Sequence, residues 1–69
     1  MKRYFFWTCM SSDGQISNGV ESTDNGKYFN WQQVEANIST ICCKHMIMVN
    51  HKEMSEKDYN DFIENPPKN

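Results

Sequence analysis

The sequence predicts a small α+β domain in which three strands and two helices follow one another in the order β-β-α-β-α. Three observations predict it: an aromatic run with strand spacing near the N-terminus, two helix starts of almost the same design, and turn residues between these segments. A chain of 69 residues with 38% hydrophobic content is long enough for one folded domain. We expect that domain to span residues 1–65, with a C-terminal tail at 66–69 that begins with two prolines.

The first strand is predicted over residues 2–10, KRYFFWTCM. Successive side chains of a strand point to opposite faces, and here both faces are apolar. A strand of this kind is typical of the centre of a sheet, so we expect it to be the central strand.

The second strand is predicted over residues 15–23, after a turn at residues 12–14. Ile16 and Val20 alternate there with polar residues, as is typical of a half-buried edge strand. Gly19 weakens the strand and is interpreted as the mark of a bulge. The first two strands should therefore form a hairpin.

Both helix starts carry a capping side chain, Asn30 or Ser55, and a residue able to bond back to it three positions on. The apolar residues that follow at helical spacing predict one stripe on each helix. The first stripe contains Trp31, Val34, Ile38 and Ile41, and the second contains Tyr59, Phe62 and Ile63.

The third strand is predicted over residues 46–50, apolar on both faces. With a right-handed crossover through the first helix, the sheet order should be 2-1-3, with both helices on one face. The face under the helices is assigned Phe5, Trp7, Cys9, Ile16, Val20, Ile47 and Val49. The open face is assigned Tyr4, Phe6, Thr8, Met46, Met48 and Asn50, since Tyr, Thr, Asn and Met tolerate partial exposure.

Composition argues against several classes of function. A net charge of −2 and a pI near 5.5 disfavour the basic surface on which nucleic-acid binding depends. No apolar run approaches the roughly 20 residues that span a bilayer, so we expect no membrane segment. The cysteines are odd in number and two are adjacent, which suits a reducing cytoplasm better than a disulfide framework.

Catalytic and metal sites are also disfavoured. Cys42, Cys43, His45 and His51 are the candidate zinc ligands, but an extended chain would hold the two histidines about 20 Å apart. A nucleophilic pair of Cys9 or Cys43 with His45 lacks a third group to orient the base. We therefore predict no enzyme activity, no cofactor, no metal and no small-molecule substrate.

Aromatic residues and methionines are enriched where protein surfaces meet. The open face, comprising Tyr4, Phe6, Thr8, Met46, Met48 and Asn50, is therefore the predicted partner-binding site of a domain that acts by protein–protein contact. The domain would be a homodimer, an inhibitor of a larger enzyme, or both. In size and acidity the whole chain resembles small proteins of bacteriophages and other mobile elements, several of which bind a host enzyme. The alternative is a single-stranded nucleic-acid binder that stacks bases on the same aromatic face.

Overall fold

The computed structural model describes residues 1–64 and confirms the predicted order β-β-α-β-α. The elements are β1 (Arg3–Ser11), β2 (Ile16–Thr23), α1 (Trp31–Cys42), β3 (Met46–Met54) and α2 (Glu56–Glu64). The three strands form one antiparallel sheet in the order β2-β1-β3, with β1 at the centre as predicted. The predicted tail at 66–69 lies outside the described residues.

A four-residue loop, residues 12–15, joins β1 to β2. The Ser11 N–H donates to the Gln15 carbonyl oxygen at 2.9 Å, and the Gly14 N–H donates to the Ser11 carbonyl oxygen at 3.1 Å. Gly14 has a φ of 89°, a left-handed conformation that glycine adopts without steric cost. This loop sets the register in which Met10 lies opposite Ile16.

The sequence predicts a bulge at Gly19, but the bulge lies in the pairing of β1 with β3. β2 pairs regularly with β1, and Gly19 lies directly opposite Trp7. The pairing of β1 with β3 shifts between Thr8 and Cys9, which leaves Val49 as the extra residue of β3. The order of faces along β3 therefore changes at this point.

Both predicted helix caps are confirmed. The Asn30 side-chain oxygen accepts the Gln33 N–H at 3.1 Å, and the Ser55 hydroxyl oxygen accepts the Asp58 N–H at 3.1 Å. Each of these bonds satisfies a backbone donor that the first turn of a helix leaves free.

α1 covers one face of the sheet. Beneath it lies the buried core, which contains Phe5, Trp7, Cys9, Phe29 and Met46. The helix residues that pack on this core are Trp31, Val34, Ile38 and Cys42. Ile41 is 73% exposed, so its predicted place in the stripe is wrong and Cys42 takes it.

α2 covers the opposite face, so the prediction of both helices on one face is wrong. The Tyr59 ring lies 4.7 Å from the Tyr4 ring, and the Phe62 ring lies 5.8 Å from the Phe6 ring. The physical reason is that both faces of β1 are apolar, so each face gains from the cover of a helix.

Cross-strand pairs share a face, and they correct three further assignments. Ile16 pairs with Met10 and Val20 pairs with Phe6, so both residues lie on the α2 face, not under α1. Ile47 also pairs with Met10 and lies on the α2 face.

Candidate protein-binding surface

The six residues predicted to form one binding site lie on two different faces. Met46 is fully buried under α1, and Met48 packs against the same core. Their predicted exposure is wrong because the shift between Thr8 and Cys9 places Met46 opposite Ser11 and Met48 opposite Cys9, on the α1 face. The other four residues, Tyr4, Phe6, Thr8 and Asn50, lie on the α2 face.

The α2 face is covered only at one end. Tyr4 and Phe6 are half-buried beneath α2, and the Tyr4 hydroxyl donates to a Glu56 carboxylate oxygen at 3.1 Å. Thr8 is half-buried and Asn50, which lies opposite it, is exposed. The predicted site is therefore open only at Thr8 and Asn50, beyond the part that α2 covers.

Three large apolar side chains lie side by side at the uncovered end of the α2 face. Ile16, Met10 and Ile47 come from β2, β1 and β3 and pair directly across the sheet. Their exposed fractions are 53%, 38% and 50%. We call these three residues the apolar row.

A rank of polar, uncharged side chains borders the apolar row on the side toward α2. It consists of Asn18, Thr8 and Asn50, again paired across the three strands. The Thr8 hydroxyl donates to the Asn18 side-chain oxygen at 2.8 Å. An apolar centre beside amide and hydroxyl groups is the composition of many protein–protein interfaces.

The loop beside the apolar row is held by Asp13. The Asp13 carboxylate accepts hydrogen bonds from the Ser11 hydroxyl and, at 2.9 Å, from the Lys44 ammonium group. Three hydrogen bonds lower the pKa of Asp13 to about 2. The bond from the Ser11 hydroxyl contributes most, followed by the bonds from Lys44 and from the Gln15 N–H. Because Lys44 precedes β3, this contact ties the hairpin loop to the start of β3.

Side chains of α1 determine which way the start of β3 faces. The Glu35 carboxylate accepts the Met48 N–H at 2.7 Å. The Ser39 hydroxyl accepts the Met46 N–H at 3.0 Å and donates to the Met46 carbonyl oxygen at 3.3 Å. With Met46 and Met48 turned toward α1, the intervening Ile47 faces the opposite side of the sheet.

A cluster of aromatic rings around His51 was not predicted. Tyr28, Phe29 and Trp31 surround the half-buried imidazole, and the Trp31 ring stacks on it at 5.5 Å. The Tyr28 hydroxyl lies 3.0 Å from His51 Nδ1. The available signal was the aromatic run at 28–31, but the third strand was predicted to end before His51.

Residues 1–64 contain neither a cluster of metal-binding side chains nor a helix that could cross a membrane. No group of three or more His, Cys, Asp or Glu side chains in this range lies close enough to hold a metal ion. No helix in the described part of the chain is long and apolar enough to cross a membrane.

No protein-family model matches the chain, and neither a curated protein nor a solved structure matches it. The apolar row and the polar rank beside it are therefore the features from which a function is inferred.

Proposed function

We propose that this chain is a small, non-enzymatic binding domain that acts by protein–protein contact through the apolar row. One observation carries the proposal: Ile16, Met10 and Ile47 are exposed side by side on a face whose other end is covered by α2. Single exposed apolar residues are common on protein surfaces, whereas contiguous ones mark contact sites.

The position of the apolar row favours a rigid contact. Each of its residues lies on a different strand, and the loop at this end of the sheet is fastened through Asp13 and Lys44. A surface held in this way loses little conformational entropy when a partner binds, so more of the contact energy appears as affinity.

The state of the cysteines supports a non-enzymatic function in the cytoplasm. Cys9 is fully buried, and burial raises the pKa of its thiol, which disfavours the nucleophilic thiolate. All three cysteines are free, as expected in a reducing compartment.

A self-association surface and an inhibitory contact with a larger enzyme are the two forms that this binding would take.

The nucleic-acid alternative has less support. Tyr4 and Phe6, the aromatic rings on which bases would stack, lie under Tyr59 and Phe62 of α2. The same helix exposes carboxylates on its surface, including Glu56 and Asp58, which would repel a phosphate backbone.

A photo-crosslinking amino acid at position 47 tests the proposal, with position 41 as the matched control. Both positions hold an exposed isoleucine, but Ile41 lies on α1, away from the apolar row. In cells that make the protein, position 47 should yield discrete protein adducts that position 41 does not. Equal adducts at both positions would contradict the proposal. Salt-sensitive binding of a single-stranded oligonucleotide in fluorescence anisotropy would support nucleic acid instead.

A further inference from the structure

The outer edge of β2 carries free backbone groups at alternate residues. Ser11 and Gln15 form a hydrogen-bonded pair at the start of the hairpin, and pairs of this kind alternate along an antiparallel ladder. The N–H and C=O groups of the intervening residues point away from β1. These residues are Ile16, Asn18, Val20 and Ser22.

The two edges of the sheet differ in how they are protected. At the β3 edge, the outward backbone groups of Met48 and Met46 are hydrogen-bonded to the side chains of Glu35 and Ser39, respectively. Within residues 1–64, no group outside β1 bonds to the backbone of Ile16–Thr23 along the β2 edge. β2 has no proline or lysine, the residues that usually block strand addition, and its one charged residue is Glu21.

We propose that a second copy of this chain pairs with β2 edge to edge, in antiparallel orientation, with Asn18 opposite Asn18 of the second copy. This inference goes beyond the proposed function, because it uses the β2 edge instead of the apolar row and commits to a second copy of the chain as the partner. The result is a continuous six-stranded sheet. In this register, outward backbone groups meet outward backbone groups, so three residue pairs exchange about six hydrogen bonds.

The side chains favour this register over its neighbours. Ile16 lies opposite Val20 of the second copy, and both residues belong to the α2 face. Glu21 lies opposite Gln15, so no like charges meet. A shift by two residues would instead place Ile16 opposite Ser22 and Asn18 opposite Val20. Apolar pairs across strands stabilise a sheet, so the Asn18-centred register is the favoured one.

A charge-exchange experiment tests the register, because the two-fold axis places residue 18 opposite itself. In sedimentation equilibrium the parent should reach twice the 8.2 kDa of one chain. N18K alone and N18D alone should stay at the mass of one chain, because like charges then meet at the axis. An equimolar mixture of N18K and N18D should regain the dimer mass. N37K is the matched control, since it makes the same substitution at an exposed position of α1, away from the β2 edge, and should dimerise like the parent.

Each contrary result overturns the inference. There are three such results. The parent remains monomeric at every concentration, N18K dimerises on its own, or the N18K/N18D mixture stays monomeric. Circular dichroism of each variant establishes that the chain is folded. If the parent is monomeric but position 47 still yields protein adducts, the edge pairing fails and the proposed binding function stands. If the dimer forms and position 47 yields no more adducts than position 41, the edge pairing stands and the proposed binding through the apolar row fails.

Discussion

Trp7 of β1 rests its indole ring directly over Gly19 of β2, and the two residues pair across the strands. A Cβ atom on Gly19 would lie 2.3 Å from Cζ2 of Trp7, closer than two non-bonded carbon atoms can approach. The glycine thus provides the space for the largest side chain of the core, and no bulge is needed to explain it.

Gly19→Ala should therefore destabilise the domain by ~1–3 kcal/mol, because the added methyl forces the indole out of its position. Urea denaturation of the parent, Gly19→Ala, Trp7→Phe and the double variant measures the effect. The smaller ring should relieve the clash, so the cost of Gly19→Ala should be lower in the Trp7→Phe background. Equal costs in the two backgrounds would mean that Trp7 does not lie over Gly19.

Two adjacent residues of β3 should differ in how much stability the same substitution costs. Met46→Ala removes a fully buried side chain from the core and should cost about 2–5 kcal/mol. Ile47→Ala truncates a half-exposed side chain and should cost no more than about 1 kcal/mol. Chemical denaturation of both variants makes the comparison. The reverse order of costs would place β3 one residue out of register.

Acid should release the contact that fastens the hairpin loop. The pKa of Asp13 is about 2 in the folded chain, against an ordinary 3.8. A lowered pKa means that the carboxylate stabilises the fold above about pH 4, and this stabilisation is lost as pH falls toward 2. The difference in free energy of unfolding between the parent and Asp13→Asn should shrink over that interval. A difference that is constant from pH 7 to pH 2 would show that Asp13 makes no charge-dependent contact.

The parts of the fold that depend on local signals were predictable. Asn30 and Ser55 mark where the two helices begin, because each forms its capping hydrogen bond within one turn. The loop residues 12–14 likewise define the hairpin. The order 2-1-3 follows because β1 is apolar on both faces. All of this can be read from neighbouring residues.

The binding surface was less predictable because it depends on long-range placement. One extra residue in β3, between Asn50 and Met48, reverses the face on which Met46, Met48 and Ile47 lie. No residue type marks that bulge in the sequence. The position of α2 depends likewise on β3 running on to Met54, opposite Tyr4, through residues whose pattern is mostly polar.

We propose that the apolar row is a contact surface and not part of the core. The most direct measurement places the photo-crosslinking amino acid at position 10 and compares Ile47→Lys with Ile41→Lys in that background. Ile47→Lys should abolish the protein adducts of position 10, because it puts a charge beside the contact, whereas Ile41→Lys should retain them. Both variants should melt within a few degrees of the parent, since Ile47 is half-exposed and Ile41 is largely exposed. Adducts that survive Ile47→Lys, or a chain that Ile47→Lys unfolds, would contradict the account.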